Sequence, residues 1–252
     1  MANTFWFEED AGFYGPDYLI EYEEILHHAK TIHEVDFITT ILNLCPEANI
    51  LDVPCGHGRH LVELALRGHV VTGAELNGFF VNKTKEAAKS ANVFVEVVQQ
   101  DMRELTFNNE FNVVINLFTS MGFFEQDKDD IAFLSGVYKA LKSGGYFLLD
   151  FVNKNWLTKN LKQKDWRKFP DGTILLIERE YDDVFGRKLD HRIKIKNGVV
   201  GERETISQRI YSTNELVSMA NSVGFELVNT YGDFQGNPLI LNSRRTILIF
   251  RK

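Results

Sequence analysis

The chain has 252 residues, 44% of them hydrophobic and 25% charged, which is an ordinary composition for a soluble globular protein with a sizeable core. Its formal charge is −7 at pH 7, and the first basic residue is Lys30, so no nucleic-acid partner is expected. No apolar run approaches the roughly 20 residues of a membrane-spanning helix, and the N-terminus is acidic and aromatic, unlike a secretory signal. We therefore expect a cytoplasmic protein without a membrane partner.

Cys45 and Cys55 are too few for a disulfide framework, and His57 and His60 have no evident third ligand, so no metal site is expected.

The first predicted elements are two helical segments, at roughly 16–29 and 32–44. From residue 49 onward, short β-branched or apolar runs alternate with segments whose apolar residues have helical spacing. The predicted strands are 49–53, 69–76, 93–101, 111–118 and 146–151, and the predicted helices are 58–67, 78–90 and 128–141. Repeated strand-helix-strand units predict an α/β fold with a mostly parallel sheet, helices on both faces, and ligands at the carboxyl ends of the strands.

The pattern changes in the second half of the chain. Three β-rich segments lie between residues 173 and 211, and turn signals at Gly186 and at Asn197-Gly198 join them, which predicts an antiparallel meander. A helix over 213–223 and two strands, within FELVNTYGDF and RRTILIF, are expected to close the main sheet. The predicted domains are an N-terminal helical segment or lid (1–47), a core (48–152), an inserted antiparallel β cap (153–212) and a closing part (213–252).

The stretch NILDVPCGHGRH, residues 49–60, carries the first functional signal. It reads as a strand that ends at Asp52, a turn with Gly56 and Gly58, and the start of a helix whose first N–H groups lack partners. Glu75 ends the next strand 19 residues after Gly56, where a carboxylate can accept hydrogen bonds from both hydroxyls of a ribose. The dinucleotide fingerprint expects a third glycine where this chain has Leu61, so the turn favours a nucleoside ligand over a dinucleotide.

Five segments, in this order and spacing, resemble the class I S-adenosylmethionine-dependent methyltransferases: ILDVPCGHGRH, VVTGAEL, QQDMREL, FNVVINLFTSMGFF and LKSGGYFLLDF. The likeness is closest to the bacterial and archaeal group with LDxPCGxGRH and FTSxGYF. It is strong over residues 48–152 and looser outside them. The resemblance implies a Rossmann-like, mostly parallel sheet of seven strands, with S-adenosylmethionine as cofactor and S-adenosylhomocysteine as product. Two departures are Pro54 in place of the first glycine and Glu75 in place of the commoner Asp.

Carried over position by position, the resemblance implies a role for each motif residue. Asp52 would orient the turn near the methionine amino group, and Glu75 would hold the ribose hydroxyls. The other implied positions are the backbone of Cys55, Gly56 and Gly58 at the methionine part, Leu76 on the adenine, Asp101 and Met102 at the adenine amine and ring, and Asn116, Leu117 and Phe118 facing the transferable methyl group and the methionine carboxylate region.

The first 24 residues hold seven acidic and seven aromatic side chains and neither Lys nor Arg. Tyr14, Tyr18 and Tyr22 recur every four residues, so they can share one face of a helix. Two interpretations stay open. The helix docks on the core, or it is a lid whose tyrosines, Tyr18 among them, close over the cofactor, because cations such as a sulfonium stack on aromatic rings.

The expected reaction is methyl transfer by in-line displacement to a nitrogen or oxygen of a small-molecule acceptor, with the protein a monomer or homodimer. If the acceptor must lose a proton, the candidate bases are Tyr14, His60 and Asp150. Arg179 and Arg192 of the cap are expected to select a small polar acceptor, and the alternative is that they form a solvated outer face. Two other functions stay open: a non-catalytic protein that senses S-adenosylmethionine, and an NAD-dependent oxidoreductase of the same fold.

Overall fold

A computed structural model describes residues 7, 13–23 and 25–252 of the chain. The helices are α1 (Pro16–Tyr22), α2 (His28–Ile41), α3 (Arg59–Leu66), α4 (Gly78–Ser90), α5 (Asp127–Ala140), α6 (Lys154–Asn160) and α7 (Thr213–Ser222). The strands are β1 (Asn49–Asp52), β2 (Val70–Glu75), β3 (Glu96–Gln99), β4 (Phe111–Asn116), β5 (Leu141–Val152), β6 (Lys164–Lys168), β7 (Ile174–Asp182), β8 (Arg187–Lys196), β9 (Val199–Arg209), β10 (Glu226–Tyr231) and β11 (Arg245–Arg251). Within these ranges, no helix has both the length and the apolar character needed to cross a membrane.

The main sheet has seven strands in the order β10-β11-β5-β4-β1-β2-β3. Strands β1 to β5 are parallel, whereas β11 runs antiparallel to both β5 and β10. The predicted seven-stranded, mostly parallel sheet is therefore confirmed. Crossover helices follow β1, β2 and β4, so these strands end at one edge of the sheet, where ligands collect in folds of this kind.

Two hydrophobic cores lie on opposite faces of this sheet. Neighbouring residues of β1 point to opposite sides, so Leu51 packs with Phe133 of α5 and Leu216 of α7, whereas Ile50 packs with Val35 of α2 and Leu61 of α3. All six of these side chains are essentially excluded from solvent. Burial on both faces explains why the central strands read as nearly continuous apolar runs.

The N-terminal helices differ from the prediction. The helix predicted over 16–29 is α1, which ends at Tyr22, and α2 begins earlier than expected, at His28. His27 causes the interruption because its backbone is extended and its ring accepts a hydrogen bond from the Lys30 N–H (3.2 Å). It is therefore the N-cap of a second helix.

The predicted antiparallel cap is a separate sheet with strand order β6-β7-β8-β9. The prediction of three strands missed β6, KDWRK, because four of its five residues are charged and the sequence shows no alternation of apolar and polar residues. The cap lies against the ligand edge of the main sheet. Arg192 forms a buried ion pair with Glu21 of α1, and Arg187 Nη1 donates to the Phe124 carbonyl after β4 (3.1 Å).

Candidate functional site

Two adjoining cavities lie at the carboxyl ends of β1, β2 and β4. The first is lined by Phe7, Tyr14, Ala74, Glu75, Leu76, Phe80, Gln100, Asp101, Met102, Phe123 and Phe124. The second is lined by Leu26, Asp52, Cys55, Arg59, His60 and Leu117. Both are lined by Tyr18, Pro54, Gly56, His57, Phe118 and Ser120. The shared residues place the two cavities side by side, and we refer to the pair as the cleft and to the region beside Phe118, where they adjoin, as the junction.

The turn between β1 and α3 forms the floor of the cleft. Gly56 has φ +54°, and its N–H donates to Glu75 Oε2 (2.9 Å) while its carbonyl accepts from Thr84 Oγ1 (2.9 Å). Gly58 has φ +81°, and a Cβ there would lie 2.5 Å from Thr84 Cγ2. Gly58 therefore lets the turn pack against α4, and it lines neither part of the cleft.

Glu75 is held facing the first cavity by two backbone groups. Its Oε2 accepts from Gly56 and its Oε1 from the Asn77 N–H (2.9 Å), and the residue is 7% exposed. Burial raises the pKa of Glu75 against the opposing effect of these hydrogen bonds. Each carboxylate oxygen has a further lone pair, so Glu75 can still accept from a ligand hydroxyl.

Asp101 lines the first cavity but already has a strong partner. Both of its oxygens accept from Arg103 Nε, at 3.1 and 3.0 Å. The carboxylate also caps the short helical turn Met102–Glu104 by accepting from the Arg103 N–H (2.8 Å). A ligand amine at this position has to share an oxygen with the guanidinium.

Two buried acceptor atoms at the second cavity lack a donor. Asp52 is 1% exposed, and its Oδ2 has no hydrogen-bond partner among the described residues. Burial raises the pKa of Asp52 to about 8. Asn116 donates through Nδ2 to the Val53 carbonyl (2.7 Å), while its Oδ1 has no hydrogen-bond partner among residues 7, 13–23 and 25–252. Buried acceptors of this kind favour a ligand that donates hydrogen bonds, because leaving them unpaired costs free energy.

A group of cations surrounds one carboxylate at the same end of the cleft. Glu34 Oε2 accepts from Arg59 Nη1 (2.5 Å) and pairs with His60 Nε2 (2.9 Å), while Lys30 Nζ lies 3.7 Å from Glu34 Oε1. Burial raises the pKa of Glu34, but the hydrogen bonds from His60 and Arg59 outweigh it and lower that pKa to about 2. Burial lowers the pKa of His60 to about 4, so this ring is neutral at pH 7. Two cations therefore share one anion, which leaves positive charge available for a ligand carboxylate.

The backbone after β4 is strained where it borders the junction. Phe118 and Thr119 have consecutive positive φ angles, +61° and +62°. Such angles are uncommon for residues with a Cβ and exceptional for a β-branched one, and each costs about 1–3 kcal/mol. Asp150 supports this turn, because its Oδ2 accepts from the Phe118 N–H (2.8 Å) and its carbonyl accepts from the Thr119 N–H (3.0 Å).

Comparison with known proteins identifies the kind of site that this cleft belongs to. A family model described as a methyltransferase domain matches residues 50–145, which include the β1–α3 turn, Glu75 and the turn after β4. The chain is 27% identical to the putative methyltransferase YqeM of Bacillus subtilis over 236 residues, which is 89% of this chain and 91% of that protein. Residues 50–145 therefore carry a methyltransferase domain. A solved structure that shares the fold, with a TM-score of 0.76 and 15% identity, is that of an S-adenosylmethionine-dependent methyltransferase from Clostridium acetobutylicum.

One further relative and one solved structure extend the likeness beyond this domain. The methyltransferase is 25% identical to the glycine/sarcosine N-methyltransferase of Aphanothece halophytica over 219 residues, 85% of this chain and 80% of that one. The structure of S-adenosylmethionine-bound CalS10, an amino pentose methyltransferase from Micromonospora echinaspora, shares the fold with a TM-score of 0.68 and 19% identity. That match covers 94% of this chain and 97% of the other. These comparisons favour a methyltransferase over the NAD-dependent oxidoreductase.

Most of the predicted cofactor positions of the methyltransferase meet in the cleft. Those that line it are Tyr18, Asp52, Cys55, Gly56, Glu75, Leu76, Asp101, Met102, Leu117 and Phe118. Two do not line it. Asn116 is fully buried below the second cavity, and Gly58 packs against Thr84.

The candidate bases are less suitable than predicted. Tyr14 lines the first cavity, but burial raises its pKa well above 10, so its hydroxyl stays protonated at pH 7. His60 lines the second cavity and pairs with Glu34. The prediction for Asp150 is corrected, because this residue lines neither cavity and its Oδ1 accepts from Arg245 Nε (2.6 Å). Asp150 supports the turn after β4.

The two arginines predicted to select the acceptor have other partners. Arg192 is 3% exposed, pairs with Glu21, and lies over the Phe13 ring with its Cζ 4.5 Å from the centroid. Arg179 Nη1 lies 3.4 Å from Asp165 Oδ2, and its Nε lies 3.8 Å from an oxygen of Asp190. Neither arginine lines the cleft. This corrects the prediction, because Arg192 joins the cap to α1 and Arg179 joins strands within the cap.

Sequence reasoning also missed residues that line the cleft. Phe123 and Phe124 belong to the quoted segment FTSMGFF, so the motif itself could have indicated them. Phe80 comes from α4 and contacts Tyr14 and Tyr18, with ring centroids 5.9 and 5.7 Å away. No local sequence signal distinguishes Phe80 from an ordinary core residue.

Proposed function

We propose that the protein transfers the methyl group of S-adenosylmethionine to a nitrogen atom of a small polar acceptor. The observation that carries the proposal is the burial of the titratable groups around the junction, which disfavours their charged forms. Burial raises the pKa of Tyr18 and raises that of Tyr22 to about 12, and burial lowers the pKa of His57 to about 4. At pH 7 these side chains are neutral and are poor proton acceptors.

This electrostatic setting favours an amine over a hydroxyl as nucleophile. A hydroxyl group must pass its proton to a base during the reaction, whereas an amine attacks from a neutral form that water can generate. Among the described residues of the cleft, Asp52 is the carboxyl group whose raised pKa, about 8, would suit such a base. We assign Asp52 instead to the cofactor, whose ammonium group supplies the donor that its unpaired oxygen requires.

The remaining cofactor contacts follow from the chemistry of the two cavities. Arg59, which lines the second cavity, offers positive charge to the carboxylate of the cofactor. Glu75 would accept from the ribose hydroxyls, and Met102 would pack on the adenine. The sulfonium joins the two halves of the cofactor, so we place it at the junction beside Phe118.

The enclosure of the cleft supports a small acceptor. Helix α1 contributes Tyr18 to both cavities and is tied to the cap by the buried ion pair of Glu21 and Arg192. We treat the predicted cap as the cover of the acceptor side and α1 as the cover of the cofactor side. Two of the similar proteins, named as a glycine/sarcosine N-methyltransferase and an amino pentose methyltransferase, act on small amines, in agreement with this proposal.

In this proposal the chain works by alignment and exclusion of water. The cofactor supplies an activated methyl group, and no acid or base is obligatory for its in-line displacement by an amine. The protein residues bind both molecules, hold the nucleophile in line, and surround the sulfonium with the rings of Tyr18 and Phe118, which stabilise a cation. Loss of the amine proton follows transfer and is taken up by water.

The test is methyl transfer from radiolabelled S-adenosylmethionine to a panel of small amines, each paired with its hydroxyl analogue. The pairs include glycine with glycolate, ethanolamine with ethylene glycol, and glucosamine with glucose. We expect labelled product from at least one amine and none from its analogue. Glu75→Ala should lose the activity, while Glu178→Ala, at an exposed carboxylate of the cap, should retain it. Transfer to hydroxyl compounds alone, or binding of S-adenosylhomocysteine without any transfer, would contradict the proposal.

A further inference from the structure

The strained turn at Phe118 and Thr119 is held from two separate parts of the fold. From the main sheet, Arg245 on β11 donates through Nη2 to Thr119 Oγ1 (2.9 Å) and through Nε to Asp150 (2.6 Å). From the cap, Gln208 on β9 donates through Nε2 to the carbonyls of Thr119 (2.6 Å) and Met121 (3.1 Å). The N–H, the carbonyl and the side chain of Thr119 are thus all bonded, which lets the turn keep an unfavourable backbone conformation.

The turn places the Phe118 ring where the two cavities meet. Lys30 Nζ lies 5.2 Å and Arg59 Cζ 5.9 Å from the ring centroid, and the Tyr22 ring meets it edge to face at 6.2 Å. The ring therefore already lies in an environment of cations. A sulfonium at the junction is a further cation that the ring can contact.

We propose that Gln208 is a positioning residue for methyl transfer, which acts by holding the Phe118–Thr119 turn in its strained conformation. The proposal rests on the proposed function for the identity of the reaction. Gln208 belongs to the sheet that covers the acceptor, yet its amide bonds only backbone of the core. The cap thereby sets the alignment of the cofactor methyl group as well as enclosing the acceptor. A displacement of about 1 Å in such an alignment can lower the rate about 100-fold.

The experiment uses Gln208→Leu, which keeps the size of the side chain and removes its donors. Gln163→Leu is the matched control, because Gln163 is exposed just before the cap sheet. Thr119→Gly is a second variant, in which glycine relieves the strain and frees the turn, and it covers the case that Gln208→Leu fails to fold. The measurements are the melting temperature, kcat and KM with the best amine of the panel, and the dissociation constants of S-adenosylmethionine and S-adenosylhomocysteine.

For Gln208→Leu and Thr119→Gly we expect kcat to fall at least about tenfold, with the KM for the amine within about twofold of wild type. S-adenosylmethionine binding should weaken about threefold or more relative to S-adenosylhomocysteine binding, because only the former has a sulfonium to contact the ring. Gln163→Leu should match wild type in every measurement.

Two results would overturn the inference. One is a kcat within twofold of wild type in Gln208→Leu and Thr119→Gly. The other is an equal loss of affinity for both ligands together with a lower melting temperature, which would make Gln208 merely structural. If wild type itself transfers no methyl group to any amine, the proposed function fails, and the ratio of the two dissociation constants still decides the role of Gln208.

Discussion

The substitution Asp52→Asn tests the assignment of the second cavity most directly. Burial raises the pKa of Asp52 from 3.8 to about 8. Between these two values the folded state keeps the proton and the unfolded state has lost it. The free energy of unfolding therefore falls by about 1.36 kcal/mol for each pH unit above 3.8, or by about 4 kcal/mol at pH 7. Because the folded pKa is the higher one, the contribution of Asp52 to stability is greatest below pH 3.8, falls as pH rises, and levels off above about pH 8.

Asparagine at position 52 removes this titration but leaves a buried amide, which costs about 1–3 kcal/mol if it is unpaired. We therefore expect the ligand-free variant to be more stable than wild type at pH 7, by about 1–3 kcal/mol in urea denaturation. At pH 4 the difference should vanish or reverse. A wild-type stability that does not decline relative to the variant between pH 4 and pH 8 would refute the reasoning.

The same residue should link cofactor binding to a proton. In wild type at pH 7, S-adenosylhomocysteine brings an ammonium group to a mostly protonated Asp52, so binding should release about one proton. Calorimetric titration in two buffers of different ionisation enthalpy measures this number. Asp52→Asn should release about one proton fewer and bind about tenfold more weakly, because a hydrogen bond to a charged group is lost. Equal proton release by both proteins would remove Asp52 from the ammonium site.

The other predictions concern Glu75 and the two arginines of the cap. Glu75→Ala should weaken S-adenosylhomocysteine binding by about 1.5–3 kcal/mol in calorimetry, and should lower stability because the Gly56 N–H loses its acceptor. Arg192→Met leaves Glu21 buried without its partner, so we expect a loss of about 3–5 kcal/mol in urea denaturation, most of it recovered in the double variant Arg192→Met/Glu21→Leu. Arg179→Ala should leave S-adenosylhomocysteine affinity within about 0.5 kcal/mol of wild type, and a larger change would place Arg179 in the cleft after all.

The sequence predicts the main sheet because each of its elements carries a local signal. The apolar runs of β1 and β4 and the glycine turn at Gly56 and Gly58 need only neighbouring residues to be recognised. The helix break at His27 is less visible, because a histidine N-cap is not among the usual start signals. Strand β6 gives no signal, since its pairing with β7 and not its own pattern makes it a strand.

The parts of the site that escape sequence reasoning depend on partners far along the chain. From the sequence, the carboxyl group of Asp150 near the end of β5 is a candidate base. In the fold, both of its oxygens accept hydrogen bonds, one from the Phe118 N–H and the other from Arg245. From the sequence, Arg192 is a candidate for binding the methyl acceptor. In the fold it pairs instead with Glu21 of α1, which lies 171 residues earlier in the chain. The ion-pair partner of a buried charge is determined by the tertiary structure, so it cannot be predicted from spacing along the chain.

The position of β11 has a consequence for when the enzyme becomes competent. The matched methyltransferase domain ends at residue 145, yet Arg245, which completes the support of Thr119, enters the sheet 126 residues after that threonine. Contacts of such long sequence separation form late, because the chain must first close a large loop. During synthesis the glycine turn and Glu75 are therefore made long before Arg245, so the residues proposed to bind the cofactor are present in the nascent chain before the residue that completes the support of Thr119. Loss of residues 245–251 would remove β11 and leave the turn after β4 without its arginine, although every family motif would still be present.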